Sequence, residues 1–213
     1  MRISSLLVFG GARSGKSRYA QEMAENAGLE PWLIATAQAF DGEMVDRIAR
    51  HRAERGSRWH LLEEPLHLAE SLAQAAQPGR IVLVDCLTLW LSNLMLAEID
   101  MEGAGAALAS AVPRLRSPVI FVSNEVGTGI VPENALARRF RDAQGRLNQT
   151  MAQACEAVLM VQAGLPVQLK PGVRPEFRFG TGHATNPPVP MPVPADQSPQ
   201  LLRMPDTAPP LQK

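Results

Sequence analysis

The run GGARSGKS at residues 10–17 satisfies the spacing G-x-x-x-x-G-K-[ST], with Gly10, Gly15, Lys16 and Ser17 in the specified places. Glycines there let backbone N–H groups converge on phosphate oxygens without Cβ obstruction, and the start of a helix adds a positive dipole. Lys16 contributes a point charge, and the Ser17 hydroxyl can ligate Mg²⁺. Such a loop also needs a carboxylate to hold the metal's water shell. The run RIVLVD at 80–85 offers one, an apolar stretch ending in Asp85. An aspartate in that place could instead cap the helix expected from near Thr88. Beside a phosphate loop, the metal role for Ser17 and Asp85 is preferred. The chemistry is that of a nucleotide's phosphates held with Mg²⁺.

A second constellation is RIARHRAER at 47–55, one histidine among four arginines. Residues four apart share a helix face, so Arg47, His51 and Arg55 stack, while Asp46, Arg50 and Glu54 form a row that can pair internally. Positive neighbours disfavour imidazolium, which leaves His51 neutral near pH 7. A neutral imidazole is a nucleophile, and flanking guanidiniums would bind the phosphate it attacks. Taken alone, the same stretch also reads as a solvated basic face. Local chemistry leaves both readings open.

Positioning these groups requires a scaffold, and the pattern supplies one. Apolar runs at 6–9, 31–36, 80–85, 118–123, 157–163 and 165–170 read as strands, the first four buried on both faces. Helical stretches fall near 17–27, 42–56, 65–77, 88–112 and 134–155. In the last, Leu136, Phe140, Ala143, Leu147, Met151 and Ala154 make one apolar stripe. Alternating strand and helix predict an α/β fold, a mostly parallel sheet flanked by helices. After Lys170 the composition turns proline-rich (PPVPMPVPADQSPQ), which predicts a disordered or extended tail. The expected organisation is therefore a catalytic domain over 1–170 and a tail over 171–213.

Composition limits the partners. Lysine plus arginine and aspartate plus glutamate each number 21, so no global field favours nucleic acid or an anionic membrane. Cys86 and Cys155 lie apart in apolar settings, as buried free thiols of a reducing compartment would. The apolar run in MRISSLLVFGGA is short for a signal peptide and leads into the phosphate loop, which cleavage would destroy. Residues 81–97 approach spanning length, but an aspartate near a bilayer centre costs roughly 2.5–3.5 kcal/mol. A buried strand followed by a helix costs less. No membrane span and a cytoplasmic location are expected.

Four segments together carry a resemblance: LLVFGGARSGKSRYA, FDGEMVDRIARHRAERG, VLVDCLTLWLSNL and VSNEVGTGIVPENALARRFRDAQGRLNQ. In order, and over residues 5 to about 170, the chain resembles the bifunctional adenosylcobinamide kinase/adenosylcobinamide-phosphate guanylyltransferase family of cobalamin biosynthesis. The resemblance implies a RecA-like P-loop NTPase fold and a trimeric assembly. It implies phosphorylation of adenosylcobinamide by ATP or GTP. Transfer of GMP from GTP to adenosylcobinamide phosphate follows, giving adenosylcobinamide-GDP and pyrophosphate. The family's covalent GMP–histidine falls on His51. Its nucleotide contacts fall on Gly10, Gly11, Ala12, Arg13, Ser14, Gly15, Lys16 and Ser17, on Ala35, Thr36 and Ala37, on Arg52, Ala53, Glu54 and Arg55, and on Glu63 and Asp85. Two alternatives remain: a small-molecule kinase in which His51 is inert, and a RecA-like regulatory ATPase with no covalent intermediate. Asn124, Glu125, Arg138, Arg139 and Arg141 receive no role from the sequence.

Overall fold

The computed structural model of the protein describes residues 3–38 and 58–172. In chain order these form β1 (Ser5–Gly10), α1 (Lys16–Glu25), β2 (Glu30–Ala35), β3 (His60–Glu63), α2 (Leu68–Ala75) and β4 (Arg80–Asp85). Then come α3 (Leu87–Leu96), α4 (Met101–Ala111), a 3₁₀ turn at Val112–Arg114, β5 (Val119–Asn124), α5 (Ala135–Ala154), β6 (Ala157–Gln162) and β7 (Leu165–Lys170). The strands make one sheet in the order β3-β2-β4-β5-β1-β6-β7. Every pairing is parallel except β6 with β7. This is the mostly parallel, helix-flanked α/β architecture expected from the sequence, with a strand–phosphate loop–helix unit at β1 and α1. One strand, β5, separates the strand that leads into the phosphate loop from the strand that ends in Asp85.

The central strands are apolar throughout because both of their faces are covered. Leu7, Ile34, Val82, Val84 and Phe121 point to one face, against α2, α3, α4 and α5. Leu6, Val8, Leu33, Leu83 and Val122 point to the other, against Ala20 and Ala24 of α1. Burying such a side chain is worth about 1.5–3 kcal/mol, so this alternation holds the register firmly. The stretch 81–97 resolves into a buried strand and a helix, and no described helix is long and apolar enough to cross a membrane.

Three expectations are refined. The helix expected over 88–112 is two helices, because Glu98 takes a left-handed conformation (φ 57°) and Asp100 caps α4 by accepting from the Glu102 amide. Strand β3 was not expected. It is short and largely exposed, so its four residues carry little apolar signal. Leu136, counted in the stripe of α5, is 53% exposed, since the stripe meets the core only from Phe140 onward, with Ala143, Leu147 and Met151 buried. The helix expected over 42–56 and the tail from 173 lie outside the described residues.

Both cysteines are free and buried. Burial, with the negative charge of Asp85 beside it, pushes the Cys86 thiol up to about 11. Burial likewise pushes Cys155 up to about 12, against the opposing charge of Lys170. The thiolate is the reactive form, so both should be inert in the native protein. At pH 8, iodoacetamide is expected to label neither in buffer and both in denaturant, as counted by intact mass. Rapid native labelling of either would contradict this burial.

Candidate functional site

The phosphate loop begins where β1 ends. Gly10 has no room for a side chain: a Cβ there would collide with the Val161 carbonyl oxygen of β6 and come within 2.9 Å of Ser14 Oγ. Gly15 sits at φ 93°, a left-handed conformation that favours glycine, and opens α1. The loop is tied internally by the Ser14 amide donating to Gly11 O (3.3 Å) and by Lys16 Nζ donating to Gly11 O (3.1 Å). It is tied externally by the Gly164 amide, in the β6–β7 turn, donating to Ser14 O (2.8 Å). The first amides of α1 have no intrahelical acceptor, and the helix N-terminus beside the loop is suited to an anion.

The ends of three other strands, β4, β2 and β3, meet the same edge of the sheet. Asp85 pairs in register with Ala35, and Ala35 with Glu63, across β4, β2 and β3. In each strand these residues share parity with the side chains that pack on α1, so all three stand on the α1 face, where the phosphate loop also opens. Ser17 Oγ donates to Asp85 Oδ1 at 3.5 Å. A hydroxyl and a carboxylate are the hard oxygen donors that Mg²⁺ prefers. Among the described residues no group of three or more His, Cys, Asp or Glu could hold a metal. A cation between Ser17 and Asp85 would therefore complete its shell with phosphate oxygens and water, as Mg²⁺ commonly does. At the helix-cap position beyond Asp85 stands Cys86, which offers no side-chain cap.

Thr36 has the opposite parity. It is fully buried, and its hydroxyl donates to Cys86 O (2.7 Å) while accepting from the Cys86 amide (2.9 Å). Asn93 Nδ2 in turn donates to Thr36 O (2.8 Å) and Pro65 O (3.1 Å). The Thr36 side chain thus fixes the chain beside Asp85. His51, with Arg47, Arg52, Ala53, Glu54 and Arg55, lies outside the described residues.

Sequence reasoning missed a buried polar network behind β5. Ser123 Oγ donates to Asn148 Oδ1 (2.6 Å), and Gln144 Nε2 donates to both (3.0 Å each). Asn148 Nδ2 donates to Asn124 O (3.0 Å), and the Asn124 amide donates to Thr88 Oγ1 (2.8 Å). Gln144 and Asn148 were legible as two amides four apart on the apolar face of α5, a spacing that seldom faces a core without purpose. Of the arginines without a role, Arg138 donates to Pro132 O and Glu133 O, and Arg141 to Asp142. Arg139 lines an open groove of about 600 Å³ between α4 and α5, with Arg146, Asp100 and Glu102. His60 stacks on Trp32 and pairs with Glu30 on the β2–β3 side of the sheet.

The crowding at Gly10 yields a contrast. Gly10→Ala should destabilise the fold by about 1–3 kcal/mol through overpacking. Gly11→Ala, whose Cβ would meet nothing within 4 Å, should stay within about 0.5 kcal/mol of wild type. Chemical denaturation of the two variants checks this, and equal losses would contradict it.

Residues 6–169 match the family described as cobinamide kinase / cobinamide phosphate guanyltransferase. The chain is 51% identical over 166 residues to the bifunctional adenosylcobalamin biosynthesis protein CobP of Pseudomonas aeruginosa, covering 77% of this chain and 96% of that one. It is 39% identical over 180 residues to the bifunctional adenosylcobalamin biosynthesis protein CobU of Escherichia coli K12, covering 78% and 99%. Among solved structures, the P4 protein of bacteriophage phi6 in complex with ADP aligns at 14% identity with a TM-score of 0.42, over 78% of this chain and 53% of that one. A phosphate loop facing a carboxylate strand, within a match of this extent and identity, places the chain in the cobinamide kinase / cobinamide phosphate guanyltransferase family.

Proposed function

We propose that this protein phosphorylates adenosylcobinamide and then guanylylates the product through His51, using ATP or GTP for the first step and GTP for the second. The observation that carries the reading is the edge of the sheet itself. Loop 10–17, Ser17 with Asp85, and the Ala35–Glu63 pair converge there on the α1 face. The loop amides and Lys16 hold the phosphates, while Ser17 and Asp85 hold Mg²⁺, which would offset the charge of the triphosphate. Contacts to phosphate do not read the base, which is consistent with either donor. Ala35, Ala37 and Glu63 line the nucleotide's path, and Thr36 supports them from behind.

In the first step the aminopropanol hydroxyl of adenosylcobinamide attacks the γ-phosphorus, and the bond to the β-phosphate oxygen breaks. In the second, a neutral His51 nitrogen attacks the α-phosphorus of GTP and pyrophosphate leaves. The substrate phosphate then attacks that phosphorus, the N–P bond breaks and His51 is regenerated. Arg47 and Arg55, four residues before and after His51 in the sequence, neutralise the transferring phosphate, and Arg52, Ala53 and Glu54 complete the nucleotide contacts. A homotrimer located in the cytoplasm is the assembly this reading carries.

With Mg²⁺ and α-labelled GTP, the wild type should form an adduct that survives base and is lost in acid. His51→Ala should abolish the adduct and guanylylation while leaving phosphorylation of adenosylcobinamide within a fewfold of wild type. An adduct that persists in the variant overturns His51 as nucleophile. No adduct in the wild type, with phosphorylation intact, leaves a kinase alone.

A further inference from the structure

We propose that the Asn124 carboxamide contacts the terminal phosphate of a bound nucleoside triphosphate, so that this residue discriminates triphosphate from diphosphate. The proposal rests on residues 10–17 holding a nucleotide and adds a contact on the side the loop does not reach. Asn124 closes β5, the strand between the phosphate-loop strand and the Asp85 strand. It pairs in register with Gly10, one strand spacing or about 4.8 Å away. On the other side Asp85 pairs with Val122, so Asn124 stands two residues, roughly 6–7 Å, beyond the level of Asp85. Its parity matches Ile120 and Val122, which pack on the α1 face. The side chain therefore rises on that face between the phosphate loop and the Ser17–Asp85 pair. A chain of phosphates leaving the cradle for the cation must pass there.

The backbone at this point is fixed far more tightly than a strand end needs. The Asn124 amide donates to Thr88 Oγ1, its carbonyl accepts from Asn148 Nδ2, and the next amide, of Glu125, donates to Gly10 O (3.0 Å). Thr88 and Asn148 are each 8% exposed, and Asn148 is itself held by Ser123 and Gln144. All this machinery holds main chain. The half-buried carboxamide makes no hydrogen bond among the described residues, so its donors remain available to a ligand. A neutral, preorganised N–H donor suits a phosphoryl oxygen whose charge changes during transfer, because it adds no charge to compete with Lys16 or the cation. Thr88 and Asn148 are positioning residues in this scheme.

The test is equilibrium binding by calorimetry, with Mg²⁺, of GMP-PNP and GDP to the full-length protein. Asn124→Ala should weaken GMP-PNP binding by about tenfold or more, the worth of one hydrogen bond to a charged group, and leave GDP within about twofold. Asn124→Asp, of nearly the same shape, should weaken GMP-PNP further by repulsion and serves if the alanine variant does not fold. Equal losses for the two nucleotides, or none, overturn the proposal while leaving the cradle reading intact. If the wild type binds neither nucleotide, the cradle reading falls and the Asn124 contact falls with it.

Discussion

The phosphate loop owes its shape to backbone pressing on backbone. Strand β6 runs beside β1 and carries the Val161 carbonyl to where a Gly10 side chain would stand. The turn that follows bends back through two left-handed residues, Ala163 (φ 52°) and Gly164 (φ 79°). It leaves Gly164 against Gly15 and its amide on Ser14 O. This explains why one antiparallel strand ends an otherwise parallel sheet. Strand β7 is largely exposed and adds little core, but pairing with β6 fixes the turn, and the turn braces the loop. The glycines at 10 and 15 thus answer the protein's own packing as well as the approach of phosphate.

The period-2 alternation of the strands then sorts residues by duty. On the α1 face the strands end in Asp85, Ala35, Glu63 and Asn124, beside the opening of the loop. On the opposite face they end in Thr36 and Ser123, both fully buried; the Thr36 hydroxyl holds the Cys86 main chain, and that of Ser123 holds the Asn148 and Gln144 side chains. A one-residue slip in any strand would exchange these roles, and the buried Leu, Ile and Val rows forbid it. The apolar core therefore does more than stabilise: it aims the polar tips.

Much of this was legible in the residues. The spacing of Gly10, Gly15, Lys16 and Ser17 specified the loop, the apolar run before Asp85 gave its facing carboxylate, and alternation gave the layered sheet. What escaped detection depends on contacts distant in sequence. Nothing around Val161 or Gly164 announces that they lie against the phosphate loop, since sheet order is not written in local pattern. The break at Glu98 escaped because a single left-handed residue among helix formers leaves no periodic trace. Thr36 looked like one of three nucleotide contacts, and only its parity against Leu33 and Ala35 shows that its side chain turns inward. Asn124 was visible as a polar residue after a strand, but a capping turn would look the same until the register with Gly10 is known.

On the proposed function, one cradle must serve attack at two different phosphorus atoms, and the geometry suggests how. On that reading the loop would grip the middle of the triphosphate, which is common to both reactions, so the nucleotide would bind in one pose for either step. When the γ-phosphorus is attacked, the loop stabilises a nucleoside diphosphate leaving group; when the α-phosphorus is attacked, the same amides and Lys16 stabilise pyrophosphate. What changes between the two is the nucleophile and the direction from which it comes. A rigid sheet edge, with its tips locked by Thr36, Asn148 and the β6–β7 turn, is suited to that division: the fixed part of the site holds charge, and selectivity between the steps is left to the groups that approach it.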